Sequence, residues 1–214
     1  MKQLLAYKYR IYPTEDQQVL LSKTFGCKRV IFNHYLNEQQ ERYKNKEKHL
    51  SNYDINKDIT KLKDTKEWLR EVDSIALQMA AEDLSVAYDN FFKSVTGKRK
   101  GPKIAVPKFK NKNSRQSYRT RGVRVNENGS LQIPKLKEVK AVIHRAIPEN
   151  SIIKSTTISK NPDGRYYASI LVETELQLQP MTSKEVGCDV GLKDLLITSG
   201  CNCNPQSNTR KFNH

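Results

Sequence analysis

The segment VGCDVGLKDLLITSG, from Val186 to Gly200, carries a carboxylate, Asp189, inside an apolar run. The pattern reads as strand, acid, turn, strand, with Asp189 between Gly187 and Gly191. Glycines in such positions let another backbone or a substrate approach closely. A strand carboxylate of this kind suits metal-assisted phosphodiester cleavage, in which several carboxylates hold two Mg²⁺ ions about 4 Å apart. Within this segment Asp194 is the one other acid and falls on the turn; no acid follows residue 194. One carboxylate cannot hold two ions. The expectation is half an active site, with Asp189 vestigial and no cofactor held by these residues on their own.

The cysteines add no metal centre. Cys27 and Cys188 sit in apolar patterns and read as small buried hydrophobes. Cys201 and Cys203 form a lone CxC, whereas zinc takes about four ligands, usually from two such pairs. His34 reads as a packed histidine. No run approaches the roughly 18 apolar residues of a membrane span. The N-terminus alternates and carries Lys8 and Arg10, unlike a signal peptide, so a cytoplasmic location is expected.

The net charge of +15 is concentrated. Residues 14–96 hold 13 Lys/Arg against 14 Asp/Glu, and residues 125–214 hold 11 against 9. Between 98 and 124 there are 11 basic residues and no acid. They are Lys98, Arg99, Lys100, Lys103, Lys108, Lys110, Lys112, Arg115, Arg119, Arg121 and Arg124, interleaved with Phe109 and Tyr118. Pro102 and Pro107 keep the first half extended. Cations neutralise phosphates, and aromatics stack on bases or sugars, so a nucleic acid is the natural partner. Lys8 and Arg10 extend the same patch.

The positioning elements follow from periodicity. Residues 3–12 alternate as a strand that ends at Pro13. Thr14 and Gln17 form a capping box for a helix reaching towards Phe25, with Gly26 as its end. A second helix covers about 27–45, and Asp54 caps a third. Asp73 caps a fourth, whose stripe is Leu77, Ala80, Leu84, Ala87, Tyr88, Phe91 and Val95. Ser74 and Gln78 share another face near its start, where phosphate or an adenine edge could be met. After Gly97, QSYRTRGVRV, SLQIP, EVKAVIH, IIKSTTISK and RYYASILVE read as short strands, the last two joined by an NPDG turn. The expected fold class is α+β: a small β-barrel from residues 1–13 and 97–182, with a four-helix unit, residues 14–96, inserted in it. A hairpin of Val186–Val190 and Leu195–Thr198 then opens a further fold, and residues 201–214 form a loose tail.

Several blocks now add up. YKYRIYPTEDQQVLLSKTFGCKRVIFNHYL, WLREVDSIALQMAAEDLSVAYDNFF, VPKFKNKNSRQSYRT, LQIPKL, YYASILVE and VGCDVGLKDLLITS resemble, in order, the blocks of the TnpB family. These are RNA-guided DNA nucleases of insertion sequences, relatives of the type V CRISPR effectors. The resemblance implies a wedge-like barrel, an inserted helical recognition domain, and the first hairpin of a RuvC (RNase H-like) domain over 183–200. It implies a guide RNA and double-stranded target DNA as partners. By position it implies that Asn52, Tyr53, Ser74, Ile75 and Gln78, with Thr120, Arg121 and Gly122, read the motif flanking the target. Asp189 matches the first RuvC aspartate. The family's later catalytic Glu and Asp and its zinc ribbon have no counterpart in this sequence.

The expectation is therefore a nuclease-dead, RNA-guided DNA-binding protein, a transcriptional repressor by occupancy, in a bacterial or archaeal nucleoid. A second copy or another chain would be a further partner. Two alternatives stand beside it. One is the N-terminal part of an RNA-guided endonuclease, with Mg²⁺ bound once another chain completes the RuvC site. The other is an accessory RNA- or DNA-binding factor of a transposon.

Overall fold

Strand β1 (Lys2–Tyr12) buries Tyr7, Tyr9 and Ile11 on one face and exposes Lys8, Arg10 and Tyr12 on the other, as its period of two requires. The computed structural model describes residues 2–113 and 115–175, and the backbone of 186–189 and 197–200. They fall into two units, Met1–Leu176 and Gln177–His214, described separately below.

In the first unit, α1 (Glu15–Lys44) starts at Thr14, whose side chain accepts from the Gln17 amide while Gln17 bonds back. The expected break at Gly26 does not occur. A single helix of 30 residues runs through it, because Thr24, Phe25, Cys27 and Lys28 around it are all buried. Tertiary packing outweighs the helix cost of one glycine, about 1 kcal/mol. The next helix, α2 (Asn52–Thr65), is capped by Ser51, with Asp54 as the reciprocal partner of the box and not the cap itself. A 3₁₀ turn (Glu67–Arg70) leads to α3 (Ser74–Val95), where Asp73 caps as its sequence position suggested. Three α-helices and a short turn thus stand where four helices were expected.

The strands β2 (Gln116–Thr120), β3 (Arg124–Val125), β4 (Leu131–Ile133), β5 (Lys137–Val142), β6 (Ile152–Lys160) and β7 (Tyr166–Glu175) follow. The stretch 116–125 is not one strand: it turns at Arg121 and Gly122, where Gly122 has φ +76°. A side chain there would be strained, so the glycine answers to the turn. The seven strands pair antiparallel in the order β2-β6-β7-β1-β5-β4-β3. The helices lie in the chain between β1 and β2, yet β1 pairs with both β7 and β5 near the middle of the sheet. The helical segment is thus an insertion in sequence between two strands of one sheet.

Two apolar clusters hold this unit together. One is the inner sheet face, including Tyr9, Tyr118, Leu131, Ile158 and Ile170, closed by Leu21 and Phe25 of α1 and Ala76 of α3. The other lies among the helices, with Ile31, Tyr35, Ile55, Leu77 and Leu84. Leu20 packs against both. Among the described residues no helix is long and apolar enough to cross a membrane.

In the second unit, β8 (Val186–Asp189) pairs antiparallel with β9 (Ile197–Gly200), Asp189 opposite Ile197. The described part of the second strand runs past its expected end at Thr198 to Gly200. Residues 190–196, where a turn was expected, and residues 201–214 with their CxC lie outside the described residues.

Candidate nucleic-acid interface

The basic stretch divides into two parts of different character. Its first part, residues 97–115, is a strap without regular structure that crosses the helices. Ser94 Oγ, at the end of α3, accepts from the Ile104 amide at 2.9 Å. Asn33 of α1 binds both backbone groups of Lys110, each at 2.8 Å. The ammonium of Lys110 sits 3.6 Å above the centroid of Phe32. Burial, then the charge of Lys28, pushes its pKa down to about 8 against the opposing pull of Asp83. Lys98, Arg99, Lys100, Lys103, Lys108 and Lys112 are exposed, and none is ion-paired with a described acid. Phe109 is exposed among them and free to stack.

The second part is built into the sheet. The register places Lys8 beside Ser169, Ser169 beside Thr157, and Thr157 beside Arg119. Strands about 4.8 Å apart carry this row some 14 Å across the outer face. Arg10 lies beside Tyr167 in the next row, and Lys8 caps the Tyr167 ring at 4.5 Å. Sequence reasoning grouped Lys8 and Arg10 with the basic stretch by charge, and pairing now joins them to Arg119. It missed Ser169, Thr157 and Tyr167, whose signal was their alternation with buried residues on β6 and β7.

Where this face meets α1 and α3, two adjoining cavities of about 300 and 350 Å³ share Lys28, Asp83, Arg115 and Ser117 in their walls. Lys28 pairs with Asp83 at 2.9 Å, its side chain only 11% exposed. Arg119 pairs with Asp83 at 3.2 Å and Glu82 at 3.4 Å, and its Nε is buried without a partner. Lys28 was also missed. A lysine next to buried Cys27, on the face that packs inward, was the signal.

The other expected residues fare differently. Tyr118 is 1% exposed and packs 5.8 Å from Phe25, ring to ring, so it stacks in the core and not on a base. Thr120 is buried, and its hydroxyl donates to Asp73, which also caps α3 through the Ile75 amide. Asp73 thereby ties the start of α3 to the end of β2, bringing Ser74, Ile75 and Gln78 near Thr120, Arg121 and Gly122. Ser74, Gln78 and Arg121 are exposed there. Lys63 of α2 donates to Ser74 Oγ at 2.9 Å; burial and Arg70 lower its pKa. Asn52 and Tyr53 stand elsewhere. The end of α2 touches the start of α3, while the ring of His49, just before α2, stands edge-on to Tyr88 with centroids 4.8 Å apart. The two helices are antiparallel, which sets Asn52 and Tyr53 about 20 Å along α3 from Ser74 at 1.5 Å per residue. Tyr53 is nonetheless exposed. Arg124 is exposed on β3, and the Asp189 side chain lies outside the described residues.

Likeness to known proteins bears on this surface. A family model described as a helix-turn-helix domain, HTH_OrfB_IS605, matches residues 1–48. Over those residues the structure has β1 and one unbroken helix. A "Putative RNA-guided DNA endonuclease" of Streptomyces pristinaespiralis is 33% identical over 199 residues, 91% of this chain and 48% of its own length. A "Putative RNA-guided DNA endonuclease InsQ" of Escherichia coli (strain K12) is 29% identical over 205 residues, 93% of this chain and again 48% of its own. "Virulence protein VsdF" of Salmonella dublin is 32% identical over 126 residues, 52% of this chain and 97% of its own length. The chain belongs to the TnpB family. It spans about half the length of the first two relatives.

Proposed function

We propose that these 214 residues are the nucleic-acid-gripping part of an RNA-guided DNA-binding protein, and that on their own they bind without cutting. The observation that carries this reading is the outer sheet row, Lys8–Ser169–Thr157–Arg119, running into the cleft of Lys28 and Arg115. Cations and hydroxyls fixed in one line suit a sugar-phosphate backbone and read no base. The names of the two longest-matching relatives support a guide RNA and a DNA target as the ligands. The sheet with its inserted helices is here a wedge-like support for the RNA. The start of α3 with Arg121 is the place where DNA flanking the target is met. Base pairing then supplies the sequence specificity, so the protein itself reads little. Within these residues Asp189 is the one position matching a catalytic carboxylate, too few for a two-metal site. Occupancy of a promoter without cleavage would repress transcription. The test is to recover the chain from its cells and sequence the RNA bound to it. A defined RNA with a constant scaffold and a segment matching a chromosomal site supports the reading; only random or ribosomal RNA overturns it.

A second reading is favoured by Asp189 on β8 and by the endonuclease names of the relatives. In it the remaining carboxylates come from residues outside these 214, with Mg²⁺ bound once they are present. Cleavage of a guide-matched duplex in Mg²⁺ by the purified 214-residue chain alone would sink the first reading. Cleavage only after a further chain is added would favour the second.

A further inference from the structure

His34 and Glu38 are one helical turn apart on α1 and so share a face. Asp58 of α2 comes up to that face. One ligand atom from each, an imidazole nitrogen and two carboxylate oxygens, all lie within 4.8 Å of one another. The three are half-buried. We propose that His34, Glu38 and Asp58 form a site for a divalent transition ion that clips α2 to α1, with water filling the remaining positions.

Three features of the surroundings favour this. Tyr35 is fully buried and donates to Asp58 Oδ2 at 2.9 Å, which fixes that carboxylate and leaves Oδ1 for a ligand. A hydrogen bond of this kind behind a metal ligand orients it and tunes its affinity. The His34 ring rests edge-on against Tyr35 at 4.9 Å, which restricts its orientation too. Among the described residues the one cation paired with either carboxylate is Arg42, 3.3 Å from Glu38. Metal bonds of about 2.0–2.2 Å would draw the three ligand atoms together by about an ångström, within the reach of side-chain rotation. An imidazole in the set selects Zn²⁺ or a similar ion over Mg²⁺ or Ca²⁺, which prefer oxygen alone. The consequence is mechanical. α2 packs on α3, and its N-terminus carries Asn52 and Tyr53, so a clip to α1 would fix where those residues stand.

The test is Zn²⁺ titration of the full chain against a chromophoric chelator, in a C201S/C203S background that removes the CxC as a competing site. The expected result is one Zn²⁺ per chain and a Zn²⁺-dependent rise in Tm. His34→Ala and Asp58→Asn should each weaken binding at least tenfold and abolish the rise. Tyr35→Phe should weaken binding about tenfold with the ligands intact. Circular dichroism reports whether each variant folds, and Asp58→Asn, which retains an acceptor for Tyr35, decides if His34→Ala does not. No Zn²⁺ bound in the C201S/C203S background, or affinity within twofold of that background in the folded variants, overturns the proposal. Equal displacement by Mg²⁺ overturns the choice of ion.

Discussion

The strap of residues 97–115 and the row across β1, β7, β6 and β2 carry the same sign of charge and hold it in opposite ways. On the strap, Lys98, Arg99, Lys100, Lys103, Lys108 and Lys112 project into water, and the backbone is tied down at Ile104 and Lys110. In the row, Arg119 is hemmed by Glu82 and Asp83, and in the cleft it runs into, Lys28 is buried against Asp83. Free cations release counterions when they meet phosphate and so give affinity that falls steeply with salt. Held cations have already lost rotamer freedom and sit in fixed positions. They give register. A surface that must first attract a long polyanion and then seat it in one orientation needs both kinds.

The largest expected effect tests whether β2 belongs to the held part. Tyr118→Ala removes a buried ring from between the sheet and Phe25 and should cost about 3–5 kcal/mol in denaturant unfolding. A loss under about 0.5 kcal/mol would place Tyr118 on the surface and collapse the distinction. Next, Asp83→Ala leaves Lys28 buried without its partner and strips Arg119 of one of two. Because the pair is partly exposed, a loss of about 1–3 kcal/mol is expected, below that of a fully buried pair. RNA affinity at fixed salt should stay level or rise in this variant, since a competing carboxylate is gone. A parallel loss of affinity and stability would show that Asp83 seats the RNA by positioning those cations.

How far the sequence disclosed this surface depends on which interaction places each residue. Local signals were legible: the Thr14–Gln17 box, the Asp73 cap, the NPDG turn and the full extent of β6 all follow from neighbours in the chain. Gly26 misled because propensity is local, while the continuity of α1 is decided by what packs around it. Tyr118 misled for a related reason. Charge and aromaticity say that a segment meets nucleic acid, but alternation along β2 sends Tyr118 inward and its neighbour Arg119 towards Asp83. Lys28 was missed because its role depends on Asp83, 55 positions away in the chain. Asn52 and Tyr53 were grouped with Ser74 by resemblance, and the antiparallel run of α2 and α3 separates them.

A smaller effect sharpens the strap's side of the comparison. K98A/R99A/K100A together should leave unfolding within about 0.5 kcal/mol, since none of the three is packed. The slope of log K against log salt should fall by about 2–3 if all three meet phosphates, at about 0.7–0.9 for each contact. An unchanged slope would mean that the strap does not touch the nucleic acid.

The smallest effect concerns Lys110, the residue that is both strap and cleft. Its folded pKa of about 8 lies below the ordinary 10.5, so the unfolded chain binds more protons between those values. Stability must then rise with pH across that window as the buried ammonium discharges. Buried Tyr118 works the other way, because burial raises its pKa and its contribution is lost above pH 10. The readout is therefore a difference: wild type should gain on Lys110→Met between pH 8 and 10.5 in urea unfolding. Equal curves would show that Phe32 beneath the ammonium offsets its burial in full. The same titration reports on binding. If Lys110 meets a phosphate, the wild-type salt slope should drop by about one contact between pH 7 and 9, and Lys110→Met should show the lower slope at both. A cation that changes its charge on the way from strap to cleft would then mark, by its pH dependence alone, where loose attraction gives way to a fixed seat.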